Sequence, residues 1–199
     1  MPTIDLAAVD QIRARIAASQ LVAAERFRDA FSKGPLPPVA HLRIQAEAML
    51  EAAQGVKLRG RLAYDVIGEL VTPYVQRGVP IYPSFDIART PEAILEYWLI
   101  VSELEGSSAW RMTRFIASGA DYDAALKRME SPQIVRALVA TYLPSVELQE
   151  GGTAMLEVTV YARAGEERIE RRQLVLSADN EFSFHGRELL AEGRGGIRF

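Results

Sequence analysis

A chain of 199 residues, 49% hydrophobic and 25% charged, can build one sizeable core or two small ones. Its 23 Lys and Arg stand against 26 Asp and Glu, and a net charge of −3 gives no overall pull toward nucleic acid or an anionic membrane. With no cysteine, disulfides, thiolate nucleophiles and Cys-ligated metal centres are excluded. The N-terminal stretch MPTIDLAAVDQIRAR lacks the continuous apolar segment of a signal peptide. No apolar run approaches the roughly 20 residues needed to cross a bilayer. A cytoplasmic protein of bacterial type, with no membrane partner, is the expectation.

In chain order, residues 6–31 carry Val9, Ile12, Ile16, Ala23, Phe27 and Phe31 at helical spacing. Asp5 is placed to cap them, and Gly34–Pro35 to stop them. The pattern fits one long helix or two broken near Ser19–Gln20. A second helix is expected over about 38–54, with Leu42, Ala46, Met49 and Ala53 inward, and a third from Gly60 to Pro73 through Leu62, Val66, Leu70 and Val71. The stretch QRGVPIYPSF reads as irregular.

Thr90-Pro91-Glu92 combines a cap, a proline at the first helical position and an acid in the first turn. The helix it opens is apolar around most of its circumference from Ile94 to Val101, which marks a central, buried helix. Further helices are expected from Ser107–Ser108 through AWRMTRFIASG, after Asp121 or Asp123, and from Ser131–Pro132 to Pro144.

Past Pro144 the period changes from helical to alternating. Leu156, Val158, Val160 and Ala162 alternate with Glu157, Thr159, Tyr161 and Arg163. RIERRQLVLS and EFSFHG follow, separated by turns at Ala164–Gly165 and Ala178–Asn180, and VELQ can add a short fourth strand. The expected fold class is α+β: an N-terminal multi-helix bundle over residues 1–144, then a small antiparallel β-meander over 145–199, packed on the bundle and ending in a flexible tail.

Candidate chemistry is sparse. The tail GRELLAEGRGGIRF is rich in glycine and arginine, but a phosphate-gripping loop needs a helix after it, and none follows. His41 and His185 are the only histidines, too few for a metal site without carboxylates, so no metal and no cofactor is expected. If the protein is an enzyme, His185 is the first choice of general base, since its sheet face could look into a cavity. Asp121 and Asp123 could pair for acid–base work, although capping accounts for them more simply. Tyr97, Trp98 and Trp110, with Phe115 nearby, could line a pocket, although rings at helical spacing more often fill a core.

The unusual feature is the ionic face of the meander. Arg163, Arg168, Arg171, Arg172 and Arg187 are interleaved with Glu157, Glu166, Glu167, Glu170 and Glu188. Residues 150–199 hold seven arginines and nine acids, a local balance of −2, which argues against a nucleic-acid platform. Such a face is either solvated cross-strand pairing or a dock for a protein or peptide added as a strand to an open edge. Two functions follow as expectations. The first is a non-enzymatic accessory subunit that binds a partner segment through these arginines and presents it to a partner enzyme, alone or as a homo- or hetero-oligomer. The alternative is a small-molecule-binding domain or enzyme with its pocket between the sheet and the aromatic helices. No motif is specific enough to name a family.

Overall fold

The computed structural model describes residues 1–36, 40–59, 63–67, 70–76, 79–80, 85–104, 113–136, 141–163 and 166–196; for residues 42, 63–67, 70–76 and 79–80 it describes the backbone only. Helix and sheet are mixed. The helices are α1 (Leu6–Phe31), α2 (Ala40–Ala52), α3 (Pro91–Leu104) and α4 (Gly119–Leu126). Residues 1–9 with 108–199 form one compact unit and residues 10–107 the other, whereas the sequence placed its boundary at 144.

α1 is a single helix. The Ala8 N–H donates to Asp5 Oδ1 at 2.7 Å, the cap expected there. Val9, Ile12 and Ala23 are buried, while Phe27 and Phe31 at its far end remain exposed. α3 starts at the expected signal: Pro91 opens it, and the Ala93 N–H donates to Thr90 Oγ1 at 3.3 Å. Its burial runs around the helix, from Ala93 through Trp98 to Leu104, as an all-round apolar surface requires.

In the unit of residues 10–107, β1 (Val56–Leu58) pairs antiparallel with β5 (Phe85–Ile87). β2 (Ala63–Ile67), β3 (Leu70–Gln76) and β4 (Val79–Pro80) form a second antiparallel sheet. Two expectations change here. The helix expected from Gly60 is β2 and β3, and part of the stretch expected to be irregular is β4 and β5. Val66, Ile67, Val71 and Thr72 are β-branched, so a pleated ladder suits them better than a helix does.

Glu96 organises this unit. It projects from α3 and is 2% exposed. Its Oε1 accepts from Arg15 Nε and Nη2 at 3.0 and 2.8 Å, and its Oε2 from the N–H groups of Gln54 and Gly55 at 3.0 and 2.9 Å. One carboxylate thus fastens α1, α3 and the chain leaving α2. Gly55 permits the approach: a Cβ there would lie 2.3 Å from Ala93 Cβ.

The other unit is built on the expected meander: β9 (Ala154–Ala162), β10 (Arg168–Leu176) and β11 (Phe182–Glu192) are antiparallel. Asn180, in the left-handed region at φ 66°, helps turn β10 into β11, a conformation asparagine tolerates. Three further segments join this sheet. β6 (Thr113–Ile116) and β8 (Ser145–Leu148) follow one another along the outer edge of β9, and β7 (Gln133–Ile134) pairs with the far end of β11. β6 and β7 lie where helices were expected. The N-terminus continues the sheet beyond β8, with the Ile4 N–H donating to Pro144 O at 2.8 Å and the Val146 N–H to Pro2 O at 3.1 Å. Ile116, Tyr161, Ile169, Leu190 and Ala191 pack with Tyr122, Ala125 and Met129 of the α4 region.

Gly55→Ala is expected to destabilise the protein by about 1–3 kcal/mol, because the new methyl overlaps Ala93. Thermal unfolding should show a melting temperature lower by roughly 3–10 °C. An unchanged melting temperature would mean that the chain after α2 does not sit against α3.

Candidate functional site

The arginines of the meander fall into three groups, each set by strand alternation. Arg168, Glu170, Arg172, Leu174 and Leu176 share one face of β10; Ile169, Arg171 and Gln173 share the other. Arg171 therefore meets Glu157 of β9, Nη2 to Oε1 at 2.6 Å, and Gln173 Nε2 donates to the same carboxylate at 3.1 Å. On the opposite face Glu170 is buried among three guanidinium groups. Arg172 Nε donates to its Oε1 at 2.6 Å, Arg168 Nε lies 3.1 Å from its Oε2, and Arg187 Nη1 lies 3.7 Å away. The Arg168 Nε and Glu170 Oε2 atoms are close enough to attract but are not aligned for a hydrogen bond. Arg171 and Arg172, adjacent in sequence, are only 16% and 13% exposed.

Arg163 belongs to the third group, around Glu167. This carboxylate is also buried. Its Oε1 accepts from the Tyr161 hydroxyl at 2.7 Å and lies 3.1 Å from Arg163 Nε; its Oε2 accepts from the Glu130 N–H at 2.8 Å. The glycine-rich tail lies against it. The Glu167 N–H donates to Gly195 O, and the Gly193 N–H to Glu167 O, both at 2.8 Å. A Cβ at Gly195 would come within 2.5 Å of Glu167 Oε2. Up to Gly196 the described tail is thus neither a phosphate loop nor a frayed end: its glycines let the backbone close over a buried acid. Residues 197–199 lie outside the described part.

Burial, reinforced by the hydrogen bond to Glu167, pushes the Tyr161 hydroxyl up to about 12. Burial also raises Tyr122 and Tyr142, whose rings stack 4.9 Å apart.

The two edges of the sheet differ. β6 and β8 cover the outer edge of β9 from end to end. On β11, β7 pairs only with Ala191 and Glu192, and the N–H groups of Val135 and Arg136 both donate to Leu190 O. Among the described residues no strand lies beside Ser183–Leu189. β11 carries two bulges, one at Leu190, since Ile169 faces Ala191 but Glu170 faces Leu189, and one within the open edge. Gln173 faces Gly186 but Leu174 faces Phe184, so His185 is the extra residue. The shift places Phe184, Arg187 and Leu189 on one face, opposite Leu174, Arg172 and Glu170. A cavity of about 230 Å³ opens on this face, lined by Leu189, by Arg168 and Arg187, and by four acids, Glu166, Glu167, Glu170 and Glu192.

His185 is exposed, at the bulge, and does not line that cavity. His41 is exposed and meets Phe27 edge-on at 6.2 Å. Tyr97 and Trp98 are buried in the core around α3, with Tyr97 edge-on to Phe85 at 5.4 Å. Trp110 lies outside the described residues. Asp121 is not the cap of α4: Ser118 Oγ accepts from the Asp121 N–H at 3.1 Å, and Asp121 Oδ2 accepts from the Ala117 N–H at 3.0 Å. This reciprocal box, Ser-x-x-Asp, stands in the sequence at 118–121 and was the signal to use. Beside it a second cavity of about 350 Å³ is lined by Ala117, Ser118, Thr141 and Tyr142 among others. Among the described residues no cluster of His, Asp and Glu could hold a metal ion, and no helix is long and apolar enough to cross a membrane.

Comparison with protein-family models, with curated proteins and with solved structures finds no match to this chain.

Two outcomes are expected. Glu170→Ala leaves three arginines around an empty carboxylate position and should cost about 3–5 kcal/mol in chemical denaturation. Tyr161 has a raised pKa in the folded state, so its contribution to stability is complete below its ordinary value near 10 and is lost as pH rises toward about 12. Tyr161→Phe should be less stable than the parent at neutral pH and should lose less stability across that window. Denaturation midpoints measured along an alkaline series decide this; parallel declines would mean that the hydroxyl does not titrate late.

Proposed function

We propose that the protein is a non-enzymatic accessory subunit that takes an extended segment of a partner protein as an added strand on β11. One observation carries this reading: the edge from Ser183 to Leu189 has no neighbouring strand among the described residues, while the opposite edge of the sheet is covered by the chain itself. An edge strand presents a row of backbone N–H and C=O groups, and an incoming extended peptide satisfies them as a neighbouring strand would. Arg187, 54% exposed, and Phe184, 60% exposed, flank that row and supply side-chain contacts. The five arginines have different parts in this reading. Arg187 meets the partner, while Arg163, Arg168, Arg171 and Arg172 neutralise acids that hold the sheet together. Presentation of the bound segment to a partner enzyme is the service such a dock would perform. The pocket alternative has weaker support, because Tyr97 and Trp98 are core residues.

The test is hydrogen exchange. Peptides selected by the protein from a randomised display library are synthesised and added back. Amides within Ser183–Leu189 should become protected, with little change at β6 and β8. Selected peptides that protect another surface and leave this strand unchanged, or a library that yields no binder, would overturn the reading.

A further inference from the structure

The proposed dock implies a particular peptide chemistry, which rests on strand addition at β11. Because of the bulge at His185, one face of the open edge reads Phe184, Arg187, Leu189: aromatic, cation, aliphatic. The cation is available. Arg172 Nε donates to Glu170 Oε1 at 2.6 Å, and Arg168 Nε is the nearer of the two other guanidinium groups, 3.1 Å from Oε2. Arg187 Nη1 stands 3.7 Å from Glu170, beyond hydrogen-bond reach, and this is its nearest ion pair among the described residues. Of the three guanidinium groups around Glu170, Arg187 is the most exposed, 54% against 30% for Arg168 and 13% for Arg172, so it is the one an incoming carboxylate can reach.

We infer that β11 selects an extended segment with an acidic residue at its centre and an apolar residue two positions to each side. On an added strand without a bulge, side chains on one face recur every second residue, and directly opposed Cβ atoms lie about 4.5–5.5 Å apart. The central carboxylate of the peptide meets Arg187, and the flanking apolar groups cover Phe184 and Leu189. Glu192 and Glu166, which line the same cavity as Arg187, repel an acid displaced past Leu189 toward the chain end of β11, which sets the register. On the other face, among the described residues, Arg136 pairs with Glu188 and Arg171 with Glu157. A second copy of the chain is a poorer occupant. Antiparallel pairing about Arg187 or Glu188 would place like charges opposite one another.

The test uses two synthetic peptides, acetyl-Thr-Val-Thr-Glu-Thr-Val-Thr-amide and its counterpart with Lys at the centre, on the full chain. Affinity is read by calorimetry and the binding strand by hydrogen exchange. The Glu peptide should bind roughly fivefold to tenfold more tightly, with protection within Ser183–Leu189, and raised salt should shrink the difference. Arg187→Gln, chosen because a Glu there would face Glu170, should reduce the preference to about twofold or less while circular dichroism stays unchanged. Equal affinity with protection of the strand would overturn the charge selection and leave strand addition standing. Binding of neither peptide at about millimolar concentration, with no protection, would overturn both. Protection without peptide, together with a concentration-dependent dimer mass, would give the edge to a second copy and overturn the inference.

Discussion

A carboxylate taken out of water costs several kcal/mol unless cations and hydrogen bonds replace its hydration. Glu170 is such a group, and the open side of the sheet is arranged around it. It lies in the middle strand, so the guanidinium groups that neutralise it must come from its own strand and from β11. The positions two residues either side on β10, Arg168 and Arg172, are on the same face and supply two of them. The third comes from Arg187 only because the bulge at His185 brings that residue opposite Arg172. Glu96 and Glu167 obey the same constraint by different means. Glu96 takes one arginine and two backbone N–H groups, and Glu167 takes a phenol, an arginine and a backbone N–H. Glu96 and Glu167 join segments far apart in sequence, and Glu170 joins neighbouring strands, which an apolar contact of the same size would do with less directional preference.

The parts of this structure that were legible in the sequence are those decided by local chemistry. Asp5 and Thr90-Pro91 start helices because their side chains and ring geometry favour that conformation wherever they occur. The alternation of Leu156, Val158, Val160 and Ala162 against polar neighbours makes β9 a strand before any partner is known. The segments that were misread are short and gain their structure from pairing. Thr113–Ile116 has one turn's worth of residues, and only the edge of β9 makes it a strand. Gln133–Ile134 owes its pairing to two residues at the end of β11. From Ala63 to Gln76 the apolar positions also fit a helical period; the β-branched residues were the better guide.

The site was half legible. Composition marked the sheet as unusually rich in paired Arg and Glu, and alternation could have sorted Arg171 from Arg172, since neighbours on a strand face opposite ways. It could not reveal that Glu170 is buried, because an acid between two arginines looks the same on a solvated surface. Nor does the sequence announce the bulge. Phe182-Ser183-Phe184-His185 alternates cleanly, and continued without interruption it would put Phe184 and Arg187 on opposite faces. The tail misleads in the other direction. Gly193 and Gly195 suggest mobility, yet a Cβ at Gly195 would overlap the Glu167 carboxylate and one at Gly193 would crowd Glu130 and Met129.

The asymmetry between the two edges gives the docking reading its physical sense. A sheet with both edges bare invites self-association along either one, and a sheet with both covered offers no backbone to a partner. Here β6, β8 and the N-terminal residues close one side, at the cost of ordering three separate segments. The other side, which has no neighbouring strand at Ser183–Leu189 among the described residues, is shortened by β7 at one end, and its middle carries Arg187 and Glu188 pointing to opposite faces. A charge that is half exposed and loosely paired discourages a neutral or identical strand, while leaving a favourable place for one of opposite sign. In the proposed reading the same side chain is both a guard against aggregation and the reader of a partner, because both roles depend on which charge is brought opposite it.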